Sequence, residues 1–317
     1  MMESVTIYLG SRCNLNCAYC HRVPDEKEPV ISDELLDYIR NKGANIAVKF
    51  IGGEPTLYMR QIRKVTNIAP LARYSVVTNG VGLSRYLDFF RRYRFLVCIS
   101  YDGRKESLRG FDPFTALVNY PWIAVSTTIY HGNTDLHAII RNFAEKERII
   151  GRRLSFFPHI MHVTDERNRK YALTKEDADS YVSQYKEMVG RYLEDRYRYG
   201  VVNIRYEGMF QALLKRYEHP FSFGETYCVN RDVKKCDAEG RLFSCLYIRN
   251  EELGQDNWQE TQQGILQRNF PRCQSCDVYD MCGGACIKSR MHDIECRIYR
   301  NLYSWFKEEY PKWKRMR

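Results

Sequence analysis

The feature that most constrains this chain is where its cysteines fall. Of twelve cysteines in 317 residues, Cys13, Cys17 and Cys20 stand within one short loop, and eight more lie between Cys228 and Cys296. Between the two groups only Cys98 occurs, inside the apolar run Leu96-Val97-Cys98-Ile99, where it reads as a buried, inert thiol. The amino terminus, Met1 to Val5, has neither a basic region nor the apolar stretch of about 7–15 residues that a secretory signal needs. No apolar run approaches the roughly 18 residues of a membrane span. A cytoplasmic location without membrane contact is therefore expected, and there thiols stay reduced. Thiols bunched in this way point to metal ligation rather than to disulfides.

Hydrophobic residues make up 44% of the chain and charged residues 28%, a globular balance that excludes disorder. The length suggests about two domains at roughly 150 residues each. The first half alternates strand and helix signals: Val5 to Leu9, then the amphipathic Asp33 to Asn41, then Ile46 to Ile51. Ser32 is placed to cap that first helix and Gly43 to end it. Further strands are expected at Tyr74 to Val77, Phe95 to Ser100, Ile123 to Ile129 and Leu154 to Pro158. Helices are expected over Leu57 to Ile68, Leu83 to Arg92 and Asp135 to Glu147. Six such strands predict an α/β fold with parallel winding, as an open sheet or a partial barrel. After residue 170 the alternation stops. Thr174 with Asp177 resembles a capping box, and Ala178, Tyr181, Val182, Tyr185, Met188, Val189, Tyr192 and Leu193 recur at helical spacing. A second helix is expected over Glu207 to Tyr217, and a terminal one over Ile294 to Trp313 whose last turn Pro311 should disturb.

Cys13-Asn14-Leu15-Asn16-Cys17-Ala18-Tyr19-Cys20 follows the first strand directly. A structural zinc site wants four ligands, usually from two cysteine hairpins, and no second hairpin is near in sequence; His21 as a fourth ligand beside Cys20 would strain tetrahedral closure. Three cysteines around one iron–sulfur cluster leave one iron without a protein ligand, and an open iron is a place for chemistry. The pattern C-x3-C-x-aromatic-C after a first strand resembles the defining motif of the radical S-adenosylmethionine enzymes. That resemblance implies a 4Fe-4S cluster whose unique iron is chelated by the amino and carboxylate groups of S-adenosylmethionine. One electron then cleaves the sulfonium, and the resulting 5'-deoxyadenosyl radical abstracts a substrate hydrogen.

The other strand ends agree with it. Gly52-Gly53-Glu54-Pro55 closes the second strand, Thr78-Asn79-Gly80 the third, and Ser100-Tyr101-Asp102-Gly103 the fourth. All lie at carboxyl ends of successive strands, the active-site face of a parallel β/α barrel. Each segment has an ordinary reading as a turn. By the resemblance, Glu54, with Gly52, Gly53 and Pro55 around it, is expected to meet the methionine amine. Ser100 and Asp102 are expected at the carboxylate or ribose, the backbone near Tyr19 at the adenine, and Thr78 and Asn79 close by.

The second cysteine group reads Cys228-x7-Cys236-x8-Cys245, then Cys273-x2-Cys276-x5-Cys282-x3-Cys286-x9-Cys296. Zinc ribbons share the C-x2-C element. The whole spacing, including Cys228-x11-Gly240-x4-Cys245, resembles the SPASM extension of radical S-adenosylmethionine enzymes, with two auxiliary 4Fe-4S clusters. The resemblance gives Cys228, Cys236, Cys245 and Cys286 to the first and Cys273, Cys276, Cys282 and Cys296 to the second, making three clusters in all. The expected architecture is a partial (β/α)6 TIM-like barrel over 1–170 and a helical linker over 171–222. A small cysteine-rich domain with a short β-hairpin then covers 223–300, and a basic aromatic helical tail 301–317.

SPASM members act on peptides or proteins, forming crosslinks, oxidising a serine or cysteine, or epimerising residues, so peptide modification is the leading expectation. The barrel begins at Val5, so recognition is expected to use the barrel itself or a separate protein. In the sulfatase-maturing branch an Asp near the auxiliary-cluster cysteines acts as a base, whereas Leu246 follows Cys245 here, which argues against serine oxidation by that route. Lys and Arg exceed Asp and Glu by 49 to 39, and the tail Lys312-Trp313-Lys314-Arg315 mixes cations with aromatics. Radical modification of a nucleotide or nucleobase, with nucleic acid held by that tail, is therefore the rival reading. A non-catalytic zinc protein is a third. An electron donor such as flavodoxin or ferredoxin is an expected partner. Tyr101, Asp102, His131 and His159 are the candidates for catalytic roles; with Tyr130 and His162 they stand at or just past strand ends, although a packed or solvated role is the more ordinary one for such residues.

Overall fold

A computed structural model describes residues 2–20, 22, 28–103, 113–222, 225, 233–243, 271–286 and 288–316. Cys228, Cys245 and Leu246 fall outside the described residues. The chain divides into two compact units, each discontinuous in sequence. The first comprises Met1–Ser126, Glu145–Arg152 and Asn230–Leu246; the second comprises Thr127–Ala144, Arg153–Val229 and Tyr247–Arg317.

The strands are β1 (Glu3–Tyr8), β2 (Ile46–Ile51), β3 (Arg73–Thr78), β4 (Leu96–Ser100), β5 (Ile123–Ile129), β6 (Phe156–Ile160) and β7 (Val233–Asp237). They form one seven-stranded sheet in the order β6-β5-β4-β3-β2-β1-β7, and the pairings from β7 through to β5 are parallel. This is the α/β partial barrel that the alternation predicts, with one strand more. The added strand, Val233-Lys234-Lys235-Cys236-Asp237, carries two adjacent lysines and no clean alternation, which hid it in the sequence. It sits at the sheet edge with β1 as its strand neighbour, and an edge position tolerates charge. Past β7 the chain turns through Gly240, whose φ of 82° is costly for any residue with a Cβ. It then returns so that Leu242 bridges Cys236 and the Phe243 amide donates to the Lys235 carbonyl, which is the short hairpin expected there.

In the first unit the strand faces bury Val5, Ile7, Val48, Phe50, Val76, Val97 and Ile99. Phe50, Tyr74 and Phe95 stack across neighbouring strands with centroids 5.0–6.2 Å apart. Helix α1 (Asp33–Lys42) buries Leu35, Leu36 and Ile39 and is capped by the Ser32 hydroxyl, which accepts from the Leu35 amide; Gly43 ends it. Helix α2 is shorter than its apolar pattern suggested. Pro55 to Tyr58 form a 3-10 turn first, and the α-helix runs Met59–Ile68. Likewise a 3-10 turn at Leu83–Tyr86 precedes α3 (Leu87–Arg92). The 3-10 and α-helical periods are too close for hydrophobic spacing to separate over four residues.

The second unit is built on helices α4 (Leu136–Ile150, shared between the units), α5 (Lys175–Arg198), α6 (Ile204–Glu218), α7 (Tyr279–Cys282) and α8 (His292–Lys314). The capping box at Thr174 and Asp177 is present, with both reciprocal bonds made. Tyr192 and Phe210 stack at 4.7 Å and Phe306 on Tyr310 at 5.1 Å, and Tyr217 meets both of the latter edge-on, so part of the large tyrosine content is core. Pro311 does not stop α8, which continues to Lys314. Only the last turn follows it, so the hydrogen bond it removes is one that a fraying end would lose anyway. Among the described residues no helix is long and apolar enough to cross a membrane.

Helix α6 presses on β6 at Gly208, where an added Cβ would stand 2.7 Å from the Phe156 carbonyl oxygen and 2.8 Å from the Phe157 ring. Alanine would gain about 1 kcal/mol of helix propensity. Overpacking against fixed backbone costs about 1–3 kcal/mol and wins. Gly208→Ala is expected to destabilise the protein, read as a lower urea midpoint under anaerobic conditions; a midpoint at or above the parent's would show that α6 does not lie this close.

Candidate active site

The three-cysteine loop is fixed at its stem before its thiols are placed. Leaving β1, the chain runs Leu9-Gly10-Ser11-Arg12 alongside the segment that leaves β2. The Gly53 amide donates to the Gly10 carbonyl at 2.8 Å and the Glu54 amide to the Arg12 carbonyl at 2.9 Å. This approach needs both glycines. A Cβ on Gly53 would lie 2.2 Å from the Arg12 carbonyl oxygen, and one on Gly52, at φ 149°, 2.5 Å from that of Gly10. Within this structure, then, the approach the two glycines permit is to backbone of the cysteine loop. Tyr58, fully buried, completes the stem: its hydroxyl accepts from the Arg12 amide at 2.8 Å. Arg12 in turn spans the Tyr58 ring and donates to the Leu57 carbonyl, and Arg22 donates to the carbonyls of Ser11 and Leu15.

The Glu54 carboxylate ties the ends of β2 and β3 together. It is fully buried, and its Oε1 accepts from the Thr56 amide (3.0 Å), the Thr56 hydroxyl (2.7 Å) and the Thr78 hydroxyl (2.7 Å). Its Oε2 accepts from the Asn79 amide at 2.8 Å. Asn79 passes the connection on, because its side-chain amide donates to Asn14 Oδ1 at 2.9 Å and to Cys13 Sγ at 3.6 Å. On the far side of the loop the Tyr19 hydroxyl reaches both oxygens of the fully buried Asp102, at 2.8 and 3.0 Å. The loop carrying Cys13, Cys17 and Cys20 is therefore bonded to the ends of β2, β3 and β4. Within it the Cys20 amide donates to the Cys17 carbonyl at 2.9 Å, the tight turn that brings those two cysteines round.

The remaining expected residues fall as follows. Pro55 opens the 3-10 turn after β2, where its missing N–H costs nothing. Ser100 is half-buried at the end of β4, opposite Ser126 of β5, and Tyr101 is buried with its ring edge on Phe114. His131, in the second unit, is exposed and its Nδ1 lies 2.7 Å from Asp177, the residue of the α5 capping box. His159 is exposed at the end of β6 and lines a cavity of the second unit. Tyr58 and Arg22 went unmarked in the sequence because neither belongs to a local motif; the lone Gly10 beside the loop was the one signal for the stem.

The carboxyl-terminal thiols gather in the second unit. Cys273 and Cys276 lie on and just past the 3-10 turn Pro271–Ser275, Cys282 ends α7, and Cys296 sits in the second turn of α8. Burial pushes the Cys282 thiol up to about 12, with Cys296, Cys273 and Cys276 adding to the shift and Arg216 opposing it. Burial also raises Cys296, to about 11, against the pull of the Arg272 guanidinium. Cys273, Cys276 and Cys296 all contribute to the rise at Cys282, so the four are close neighbours that need a cationic partner before they ionise together. Among the described residues no three His, Cys, Asp or Glu side chains converge on one ion position. In a cuboidal cluster each thiolate binds its own iron, so the donors surround a volume; a set of four thiols of this kind suits iron and sulfide, and the His292 imidazole stands beside it with Nδ1 3.4 Å from Cys296 Sγ. Cys236 lies buried on β7 in the first unit and Cys286 is buried in the second.

Parallel strands whose carboxyl ends are laced to a three-cysteine loop define the class. Residues 7–149 match the model of the Radical SAM superfamily, so this part of the chain carries a radical SAM domain and the protein is an enzyme. Among characterised relatives, the chain is similar to the cysteine-type anaerobic sulfatase-maturating enzyme of Clostridium novyi (strain NT), 23% identical over 91% of this chain and 89% of that one. It is also similar to the probable GTP 3',8-cyclase of Methanosarcina mazei, 25% identical over 84% of each. In fold it resembles the solved structure of native anSMEcpe with bound AdoMet and Cp18Cys peptide, with a TM-score of 0.68, 20% identity and 98% of both chains covered.

Replacing Glu54 by Gln would set an NH2 group against amide or hydroxyl donors that now point at oxygen. Leaving buried donors unpaired beside a charge-assisted network costs about 3 kcal/mol. Glu54→Gln is expected to lower the denaturation midpoint accordingly and to reduce the iron retained by the amino-terminal loop; full stability and full iron would mean that the four bonds are not made.

Proposed function

We propose that this enzyme oxidises or otherwise modifies a peptidyl residue, with cysteine the first substrate to test. The observation that carries this reading is that the similarity to a cysteine-type maturating enzyme runs the length of both chains rather than over the barrel alone. The clustered thiols of the second unit support it. When bound, the cluster and S-adenosylmethionine supply a 5'-deoxyadenosyl radical by reductive cleavage, and the chain's own residues hold and shield that chemistry. Cys13, Cys17 and Cys20 ligate the first cluster. Glu54 fixes the ends of β2 and β3, and its Oε2, which accepts one hydrogen bond among the described residues, retains capacity for the cosubstrate's ammonium. Gly52, Gly53, Pro55, Thr78 and Asn79 form the backbone there, with Ser100 and Asp102 on the carboxylate or ribose side and the Tyr19 backbone near the adenine. Asp102, held by Tyr19, keeps the loop closed over β4.

The auxiliary clusters are assigned as the sequence spacing implies: Cys228, Cys236, Cys245 and Cys286 to one, Cys273, Cys276, Cys282 and Cys296 to the other. The domain division at residues 170, 222 and 300 belongs to the same reading, as do a flavodoxin- or ferredoxin-like electron donor and a cytoplasmic setting. A second reading, action on a nucleotide, is favoured by the similarity to GTP 3',8-cyclases and by the excess of 49 basic over 39 acidic residues.

Anaerobic reconstitution is expected to give about twelve iron per chain, and about eight when Cys13, Cys17 and Cys20 are replaced by Ala, with cleavage of S-adenosylmethionine abolished in that variant. A colourless protein, or cleavage that survives the triple substitution, would remove the basis of the mechanism. Incubation with reductant, S-adenosylmethionine and a cysteine peptide deuterated at Cβ should place deuterium in 5'-deoxyadenosine. Deuterium arriving instead from ribose-labelled GTP would favour the nucleotide reading.

A further inference from the structure

In the second unit two helices finish at the same end. Helices α5 and α8 lie side by side and run in the same direction: Arg297, early in α8, bonds Asp179, early in α5, while Tyr310 meets Tyr197 near the close of each. The turn that leaves α5 therefore stands beside the last residues of α8. That turn reads Tyr199-Gly200-Val201-Val202-Asn203-Ile204, and its four large apolar side chains are 44–61% exposed. Met316, just past α8, is 65% exposed. Connections between helices are ordinarily polar, and neighbouring apolar groups left in water mark an interaction surface. The turn is held by polar bonds of its own. Gly200, at φ 69°, lets the Val201 amide donate to the Asp195 carbonyl at 2.8 Å, and the Asn203 side-chain amide donates to Asp195 Oδ2 at 3.3 Å. In such a helix-ending turn the residue at the place of Val201 usually packs back on the helix, whereas here it faces outward.

Cations stand around this apolar turn. Arg198 ends α5, Lys312 and Lys314 lie in the last turn of α8 with Arg315 next, and all four are exposed. Arg198 and Lys312 pair with Glu194 and Glu309 of their own helices, exposed pairs that are weakly held and easily exchanged. Basic residues in a last turn complement the helix dipole, which accounts for the cations and leaves the apolar turn unexplained. A second copy of this chain, docked symmetrically, would bring like charges together. A nucleic acid would use the cations through its phosphates and leave Val201, Val202 and Ile204 in water. An anionic lipid surface uses both sets. Its headgroups meet the cations, the acyl boundary takes the apolar groups, and Tyr199 stands at the level where amphipathic rings are favoured. We infer that this end of the second unit docks reversibly on an anionic membrane surface. Among the described residues no helix is long and apolar enough to cross a bilayer, and a surface contact needs none.

The test is cosedimentation of the full-length protein, prepared anaerobically, with vesicles of phosphatidylcholine alone or of two parts phosphatidylcholine to one part phosphatidylglycerol. The parent is expected to bind the mixed vesicles and not the neutral ones. Val201→Ser combined with Val202→Ser should weaken binding about tenfold at low and high salt alike. Lys314→Gln combined with Arg315→Gln should weaken it about twentyfold at low salt and flatten the salt dependence. These four side chains are exposed, so the urea midpoints should match the parent's. As a control on the turn itself, Val201→Leu combined with Val202→Leu should bind at least as tightly as the parent. A parent that binds neither vesicle, a serine pair that binds as tightly as the parent, or a leucine pair that binds more weakly would overturn the assignment. Duplex DNA bound by a chain that vesicles do not capture, with a steep loss as salt rises and no effect of the serine pair, would make this a nucleic-acid surface instead. A dimer in the absence of vesicles that the serine pair dissolves would show that a second copy covers the turn.

Discussion

Everything at the amino-terminal site depends on two backbone hydrogen bonds, from the Gly53 amide to the Gly10 carbonyl and from the Glu54 amide to the Arg12 carbonyl. They set the cysteine loop against the exit of β2 at a separation that no side chain could enter. A cluster-binding loop has to hold its thiols in place without the metal's help for long enough to be loaded, and a loop of single-ligand contacts has little cooperative stability. Here the stem is effectively an added rung of the parallel sheet. The Glu54 carboxylate then converts that rung into a junction by drawing donors from the ends of β2 and β3. Preorganisation of this kind places the entropic cost of ordering in the folding of the barrel rather than in the binding of the cofactor.

The barrel and its loop were largely legible in the sequence because the information is local. Cys13, Cys17 and Cys20 lie within a few residues of one another, the strands announce themselves by alternation, and the segments after β2, β3 and β4 carry glycine, asparagine and acid residues in compact runs. What these segments do to one another was not legible. Tyr19 and Asp102 are 83 positions apart, and nothing local in the sequence signals that the Tyr19 hydroxyl bonds the Asp102 carboxylate. Glu295 and His162 are separated by 133 positions, and a glutamate in the first turns of an amphipathic helix gives no sign of full burial. A short hairpin was expected in this region, but the place of β7 beside β1 was missed, because an edge strand of five residues with two lysines has no periodicity to read. Hydrophobic period and motif spacing report on neighbours along the chain, whereas these contacts are products of the tertiary fold.

The two units use buried charge differently. In the first, four donors bond the Glu54 carboxylate and the Tyr19 hydroxyl meets both oxygens of Asp102. In the second, raised thiols at Cys282 and Cys296 stand near Arg216 and Arg272, and Glu295 Oε2 has no hydrogen-bond partner among the described residues. Thiols kept protonated by burial must give up their protons to bind a metal, which couples metal loading to folding and to pH.

Strand β7 comes from the cysteine-bearing part of the chain, yet its hydrogen bonds are with β1. This stretch of it, Val233–Asp237, is thus woven into the sheet. A shortened chain ending before residue 223 would strip β1 of its outer neighbour and expose a row of unpaired amide and carbonyl groups beside Val5 and Ile7, the kind of bare edge along which sheets of separate molecules join. In evolutionary terms, such a tail is hard to trade between barrels: a replacement would have to supply the sealing strand in register as well as its own ligands.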